Sequence, residues 1–463
     1  MTAPKRRIRL NAAVAALAIT VQVLAPTSHA LADGGVSIIR DTEIEAILHD
    51  DADPVFTAAG LNPRSVQIHL VADPQLNAFS AGGQQLFVNT GLILETKSPN
   101  QLIGVMAHET GHIAGGHIAR SGAMGRAAMG PMLIGIGLGV LAALAGAPDA
   151  AASLVFSSTY FGEISMLGYS REQESRADQA AATYIEKAGL SGRGLVEFFN
   201  NFRYQEVFDD EKKYPFFRDH PLTDDRIQAL SARVEQQAHY GAEDTPESIA
   251  KHALMKAKLE GFLAGAGQIM GDYPDSDHSF PARYARAISL YRQTETEAAL
   301  RAIDALIAEQ PTNPYLWELK GQVLFEAGRA KEAEPAHRRS VELMPAAPLL
   351  RVNLGQTLIA VNDPSKLDEA IKQIRRALGV EPDNALAWRL LSEAYDAQNL
   401  PGMARLAAAE QNFYLGQLLE ARTFAVHARE TLKKDSPEWR RATDIILASK
   451  PTPAQLKELG VTG

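Results

Sequence analysis

Cysteine is absent from the 463-residue chain, so no disulfide, thiolate ligand or lipid-modified N-terminal cysteine contributes to it. Any bound metal must be held by histidine, aspartate or glutamate. An excess of positive charge is also lacking. The net charge of −9 argues against nucleic acid or anionic lipid as the main ligand. Aromatic residues are sparse at 7%, yet the 46% hydrophobic and 22% charged content is that of ordinary globular protein. The length exceeds what one hydrophobic core supports, which predicts two to three domains.

Long apolar runs are scarce, and the two that occur are informative. Ala12 to Val23 falls short of the roughly 20 residues that span a bilayer. Lys5, Arg6, Arg7 and Arg9 precede it and Ala30-Leu31-Ala32 follows, the pattern of an export signal cleaved near Ala32. The second run, Ala127 to Pro148, carries no charge and is long enough to cross a membrane. Pro131 and the repeated glycines suit a broken hairpin, buried or dipping into a membrane surface, better than a straight span.

Periodicity organises the rest. Ile44, Ile47 and Leu48 predict a helix over Asp41 to Ala59, and the alternation from Val66 to Val71 predicts a strand. A Gly82-Gly83 turn precedes a second strand at Leu86-Phe87-Val88. From Ser98 to Ala119 the pattern is helical, with Leu102, Val105, Met106, Ile113 and Ala114 as its apolar members. Between Ala282 and Ser436 the chain repeats with a period near 34 residues, the spacing of tetratricopeptide helix pairs. Trp317, Gly321, Leu324, Gly328, Ala333 and Pro345 mark the clearest unit. Leu354, Gly355, Leu358, Ala370, Ala377 and Pro382 mark the next, and Trp388, Leu391, Tyr395 and Ala404 a third. A degraded unit precedes them at Leu290, Ala299, Ile303 and Pro311, and traces of another follow at Gly416 and Ala421. Such solenoids hold peptides or proteins on a concave face.

The chemistry is carried by His108-Glu109-Thr110-Gly111-His112. On a helix, positions i and i+4 share a face, so both imidazoles reach one zinc ion. Glu109 then stands beside the metal, where it can take a proton from a bound water. Catalytic zinc usually takes three protein ligands, so one more is needed. His117 is one residue short of the place where metzincins carry their third histidine, occupied here by Ile118, and reads as structural. Glu163 and Glu172 are carboxylates without a supporting pattern. Glu174 lies on one helix face with Asp178, and a carboxylate one turn from a ligand suits a residue that orients a ligand histidine from behind.

His108-Glu109-x-x-His112-x-x-x-x-His117 followed by Ser170-Arg171-x-x-Glu174-x-x-Ala177-Asp178 resembles the gluzincin family that contains the CAAX prenyl endopeptidase, and most closely its exported, repeat-bearing periplasmic members. The catalytic resemblance covers about residues 40 to 240, and the repeats most of the remainder. It implies an α+β zincin-type peptidase domain, mostly helical with a small sheet, followed by an all-α tetratricopeptide-repeat solenoid. The implied ligands of one Zn2+ per chain are His108, His112 and Glu174, with Glu109 as general base and Asp178 behind them. Asn77 and Ala78 match the family's edge strand, which binds substrate backbone by strand addition. His220-Pro221-Leu222-Thr223-Asp224-Asp225-Arg226 matches its downstream histidine loop. His220 would therefore lie near the metal, either capping it as a fourth ligand or stabilising the oxyanion, and Arg226 would contact substrate or Asp178. The apolar stretch falls where the family inserts apolar helices.

The resulting division is a signal peptide at 1–32, a peptidase domain at 33–240 with an apolar hairpin near 127–148, connecting helices at 241–281, and repeats at 282–463. The expected activity is periplasmic hydrolysis of peptide bonds in envelope proteins, in outer-membrane protein quality control or assembly. The repeats would meet the assembly machinery, with peripheral membrane contact near the hairpin. The alternative is a chaperone or assembly scaffold with vestigial or latent peptidase activity.

Overall fold

The computed structural model of the chain describes residues 37–117, 171–202 and 220–450. The expected signal at 1–32, the apolar stretch near 127–148 and Glu163 lie outside the described residues. After a two-residue strand, β1 (Ile38–Ile39), Asp41 caps helix α1 (Thr42–Ala58) by accepting from the backbone N–H groups of Glu43 and Ile44. Strands β2 (Gln67–Val71), β3 (Ala78–Ala81) and β4 (Gln85–Asn89) complete a four-stranded sheet ordered β1-β2-β4-β3. β2 and β4 run parallel, while β1 and β3 pair antiparallel at the two edges. Alternation sends Ile68, Leu70, Leu86 and Val88 into the core and leaves His69 and Phe87 half-buried on the other face.

A short helix α2 (Thr90–Glu95) leads to the long α3 (Pro99–Gly115). Ser98 caps α3 through Gln101 N–H, with Pro99 at the first helical position where no donor is needed. The helix expected to reach Ala119 stops at Gly116, which adopts the left-handed conformation (φ 62°) that lets its N–H close on the last carbonyls. Three further helices frame α3: α4 over residues 171–187, α5 (Arg193–Phe202) and α6 (Asp224–Val234).

Helix α7 (Pro246–Leu263) packs against α1, α2 and α3, and a short α8 (Ala266–Asp272) follows it. Ten helices then form five antiparallel pairs. These are α9 (Phe280–Arg292) with α10 (Thr296–Glu309), α11 (Pro314–Glu326) with α12 (Ala330–Leu343), and α13 (Pro348–Ala360) with α14 (Leu367–Leu378). The last two are α15 (Ala385–Ala397) with α16 (Pro401–Tyr414), and α17 (Leu418–Thr431) with α18 (Pro437–Ala448). The α+β domain followed by an all-helical repeat region is thus the observed fold, and the degraded units supply helix pairs as complete as the clear ones. Equivalent positions do equivalent work: Trp317 Nε1 donates to Pro311 O at 2.9 Å, and Trp388 Nε1 to Pro382 O at 2.7 Å.

The first repeats and the α+β domain share one core. A continuous cluster runs from Ile39 and Phe56 through Val105 and Phe198 to Tyr284, Leu319 and Ala333. At its seam the Lys258 ammonium, 4% exposed, lies 2.9 Å from Asp41 and 3.0 Å from Glu43. Burial opposes its charge, but Asp41, Tyr284 and Glu43 hold it well above the usual lysine range. Tyr284 donates to Glu43 at 2.9 Å and Asn353 to the buried Glu318 at 3.0 Å. Nearer the surface, Arg40 joins Glu45 at 2.7 Å and the repeat loop's Glu381 at 2.7 Å.

Removing the cation from this seam leaves Asp41 and Glu43 buried without a counter-charge. Lys258→Met is expected to lower unfolding free energy by about 3–5 kcal/mol in urea titration. A loss below about 1 kcal/mol, the worth of an exposed pair, would show that water replaces the ammonium there.

Candidate metal centre

The site is built where α3 meets α4. Gly111 makes the meeting possible: a β-carbon there would lie 2.9 Å from Ala177 O and 3.0 Å from Ala177 Cα. Those are backbone atoms, which cannot swing aside. With glycine in place, Glu174, one turn before Asp178, reaches across to both histidines of α3.

One ring nitrogen from each of His108, His112 and His220 and a carboxylate oxygen of Glu174 all lie within 4.8 Å of one another, and all four residues are buried. His108 Nε2 is 3.2 Å from His112 Nε2 and 3.3 Å from His220 Nδ1. Glu174 places one oxygen 3.3 Å from His108 Nε2 and 3.0 Å from His220 Nδ1, and its other oxygen 3.3 Å from His112 Nε2. A tetrahedral ion with bonds of about 2.0 Å sets its ligands about 3.3 Å apart. The residues therefore fit a zinc-sized cation in both donor chemistry and spacing.

Electrostatics agree. Burial would raise the Glu174 carboxyl, but hydrogen bonds with His108 and His220 hold it well below the usual carboxylate range. Burial works against charge on His108, yet Asp178 and Glu174 lift it to about 10. Burial, together with the neighbouring His108 charge, pushes His112 down to about 2. Lone pairs that face one another at these distances repel unless a positive charge sits among them. A single cation at the centre satisfies all four donors at once.

Each donor is held from behind. His108 Nδ1 lies 3.0 Å from Asp178 Oδ1, and His112 Nδ1 lies 3.0 Å from His117 Nδ1. The turn at Gly116 folds His117 back onto α3, so this histidine orients His112 from outside the donor set. His220 is positioned by the start of α6. Thr223 caps that helix by accepting from Arg226 N–H at 3.2 Å, and the Arg226 guanidinium reaches back to Pro221 O at 2.6 Å and His220 O at 3.4 Å. The same guanidinium grips Asp178 in a bidentate pair at 2.8 and 2.9 Å. Of the two contacts weighed for Arg226, the one with Asp178 is present, and the residue is 7% exposed.

Glu109 is fully buried beside the donors, with an oxygen 3.4 Å from His220 Nε2. Burial raises its pKa, which the charges of His220 and His108 partly offset. Asn77 and Ala78 lie at the start of edge strand β3, which packs on α3. Residue spacing did not point to Ser80 or Phe199, and it gave His117 a structural role without naming its contact. Ser80 interacts with the Glu109 carboxylate. Phe199 of α5 packs its ring 6.1 Å from His108 and lies under the Arg226 guanidinium at 5.7 Å. None carries a spacing signal, because each reaches the site from a different element or through a turn.

Residues 39–234 match the family model described as Peptidase family M48, and residues 284–348 and 364–421 match the tetratricopeptide repeat. With the fold and the buried donor cluster, these matches define a metalloprotease, a hydrolase whose M48 peptidase domain is followed by tetratricopeptide repeats. The chain is 22% identical over 392 residues to the Beta-barrel assembly-enhancing protease of Yersinia pestis, covering 81% of this chain and 76% of that one. It is 26% identical over 365 residues to the Putative beta-barrel assembly-enhancing protease of Vibrio cholerae serotype O1, covering 74% and 72%. To the Beta-barrel assembly-enhancing protease of Escherichia coli K12 it is 22% identical over 380 residues, covering 80% and 76%.

Gly111→Ala forces α4 away from α3 and is expected to weaken metal binding by about 10- to 100-fold, the scale of lost support behind ligands. Competition with a chelator measures it. Gly82→Ala, with nothing within 4 Å of its added carbon, serves as the unchanged control. Undiminished affinity in Gly111→Ala would refute the close-approach account.

Proposed function

We propose that the chain is a zinc endopeptidase of the bacterial periplasm, acting on envelope proteins in outer-membrane protein assembly or quality control. The observation that carries the chemistry is the set of four buried donors within 4.8 Å of one another, with a buried glutamate beside it. His108, His112 and Glu174 hold Zn2+, and Asp178 orients His108 from behind. Zinc bound there supplies Lewis-acid polarisation of the scissile carbonyl and of the attacking water. Glu109 accepts the water's proton and delivers it to the leaving amine, a role suited to a carboxylate whose burial raises its proton affinity. The backbone of β3 from Asn77 and Ala78 onward receives an extended substrate by strand addition.

His220, with Nδ1 among the donors, would cap the metal as a fourth ligand in the place an attacking water would need, which would hold the enzyme latent. The names of the relatives, together with the signal-like residues 1–32, support export and an envelope substrate. We assign the peptidase domain to 33–240, connecting helices to 241–281, and protein-partner binding, including the outer-membrane assembly machinery, to the repeats at 282–463. The stretch near 127–148 provides peripheral membrane contact. No helix among the described residues is long and apolar enough to cross a membrane. The paired motifs support kinship with the gluzincins that include the CAAX prenyl endopeptidase.

Purified protein should hold one zinc per chain, lost in Glu174→Ala and retained in Glu109→Gln. Glu109→Gln should lose hydrolysis of unfolded protein by about 10²- to 10⁴-fold. An active Glu109→Gln enzyme would sink the mechanism. A zinc-loaded wild type with no hydrolysis, alongside full complementation by Glu109→Gln, would favour the scaffold reading. His220→Ala should keep zinc and cleave faster; slower cleavage would assign His220 to the oxyanion instead.

A further inference from the structure

The face of the sheet turned away from α3 carries an aromatic ladder that the metal chemistry does not use. His69 of β2, Phe87 of β4 and Phe79 of β3 occupy one register line, His69 opposite Phe87 and Phe87 opposite Phe79. Phe79 and Phe87 stack with centroids 4.8 Å apart and planes 3° from parallel. His69 and Phe87 stack at 4.7 Å and 25°. All three residues are half-buried, and the ladder ends at Phe79, on the strand at the sheet's edge.

The hydrogen-bond phase of β3 decides what this end can meet. Asn89 N–H donates to Asn77 O at 3.0 Å. In an antiparallel ladder bonded and non-bonded pairs alternate, so Phe79 and Ala81 also direct their backbone groups toward β4. The N–H and C=O groups of Ala78 and Ser80 therefore point out of the sheet, and among the described residues no strand pairs with them. Ala78 is buried on the inner face and Ser80 meets Glu109 there, so this outward edge runs past the reacting centre. An extended chain bonded antiparallel to Ala78 and Ser80 sets a residue opposite Phe79 at a non-hydrogen-bonded position. There the α-carbons come within about 4.5 Å and side chains are closest. That side chain falls on the ladder face, continuing the line from His69 through Phe87 and Phe79.

We propose that this ladder is a specificity device: the enzyme selects extended segments carrying an aromatic residue at the position opposite Phe79, which becomes the fourth ring of the stack. The proposal rests on the peptidase reading above. Phe79 is a specificity-determining residue, and it neither holds the metal nor moves a proton. A strand that alternates aromatic or apolar residues with polar ones fits this edge, because its other face must meet the polar surroundings of Glu109 and Ser80. A segment without an aromatic residue in phase still forms the backbone bonds but leaves the ring of Phe79 unstacked.

The test is cleavage of a randomised peptide library by the full chain, in wild type, Phe79→Ala and Phe79→Leu, with product termini read by mass spectrometry and zinc content measured in parallel. Wild type should enrich aromatic residues at one fixed position from the cut by roughly two- to tenfold, the scale of one aromatic pair. Both variants should keep their zinc and lose that enrichment, while preferences at other positions stay. Phe79→Leu preserves the apolar bulk of the strand, so a loss of preference there cannot be ascribed to a collapsed edge. Aromatic enrichment that survives in both variants, or that is absent from wild type while cleavage proceeds, overturns the ladder alone. No cleavage by zinc-loaded wild type and His220→Ala together overturns the peptidase reading, and the ladder proposal with it.

Discussion

The approach of α3 to α4 at Gly111 and Ala177 is the constraint on which the site depends. It sets a carboxylate between two imidazoles inside a region from which water is largely excluded, with His108 and Glu109 fully buried. Buried polar groups of this kind destabilise a protein unless each finds a partner. The fold meets the demand in shells. Asp178 answers His108, Arg226 answers Asp178, and the carbonyls of the His220 loop answer Arg226. Four buried donors converge on one centre, and their chemistry and spacing mark the site as suited to a cation.

Rigidity behind the donors has its source further away. Asp41 caps α1 and at the same time pairs with Lys258 of α7, so one carboxylate serves a helix end and a domain seam. Glu43 and Tyr284 extend the seam into the first repeat, and a single hydrophobic cluster runs from the peptidase domain into the first two helix pairs. Within the repeats, glycine again permits close approach, since a β-carbon on Gly321 would collide with the His337 ring of its partner helix. The repeats are therefore part of the frame that supports the peptidase domain, in addition to presenting a surface of their own. An event that shifts the first helix pairs acts on the same core that packs against α3.

Much of this was legible from residue order. The period of 34 announced paired helices, and even the degraded unit at Leu290 and Ala299 proved to be α9 and α10. The i and i+4 histidines, and the Glu174 to Asp178 spacing, are local facts of helix geometry, so they survived folding unchanged. What residue spacing did not contain was assembly across elements, for which the only guide was the family resemblance. The strand β1 is two residues long, too short for any alternation, and exists because Val71 and Leu70 offer it partners. The parallel pairing of β2 with β4 places β3 at the edge, and no residue pattern within β3 states this. His117 looked one place out of step because a continuous helix was assumed, and the left-handed turn at Gly116 removes that premise.

By itself, then, the sequence determined the helix carrying two histidines and a glutamate, the second helix carrying a carboxylate pair, and the repeating scaffold downstream. Short-range periodicity records these, since a helix places its own residues at known angles whatever surrounds it. Only the tertiary structure decided that His220 joins the donors, that Arg226 stands behind Asp178, and that His117 steadies His112. It alone laid three aromatic rings in one line across the sheet, ending at the edge beside Glu109. Those outcomes depend on the distance and angle between separate elements. Such distances are fixed by how close two backbones can pack, a property of pairs of surfaces that no single stretch of chain contains.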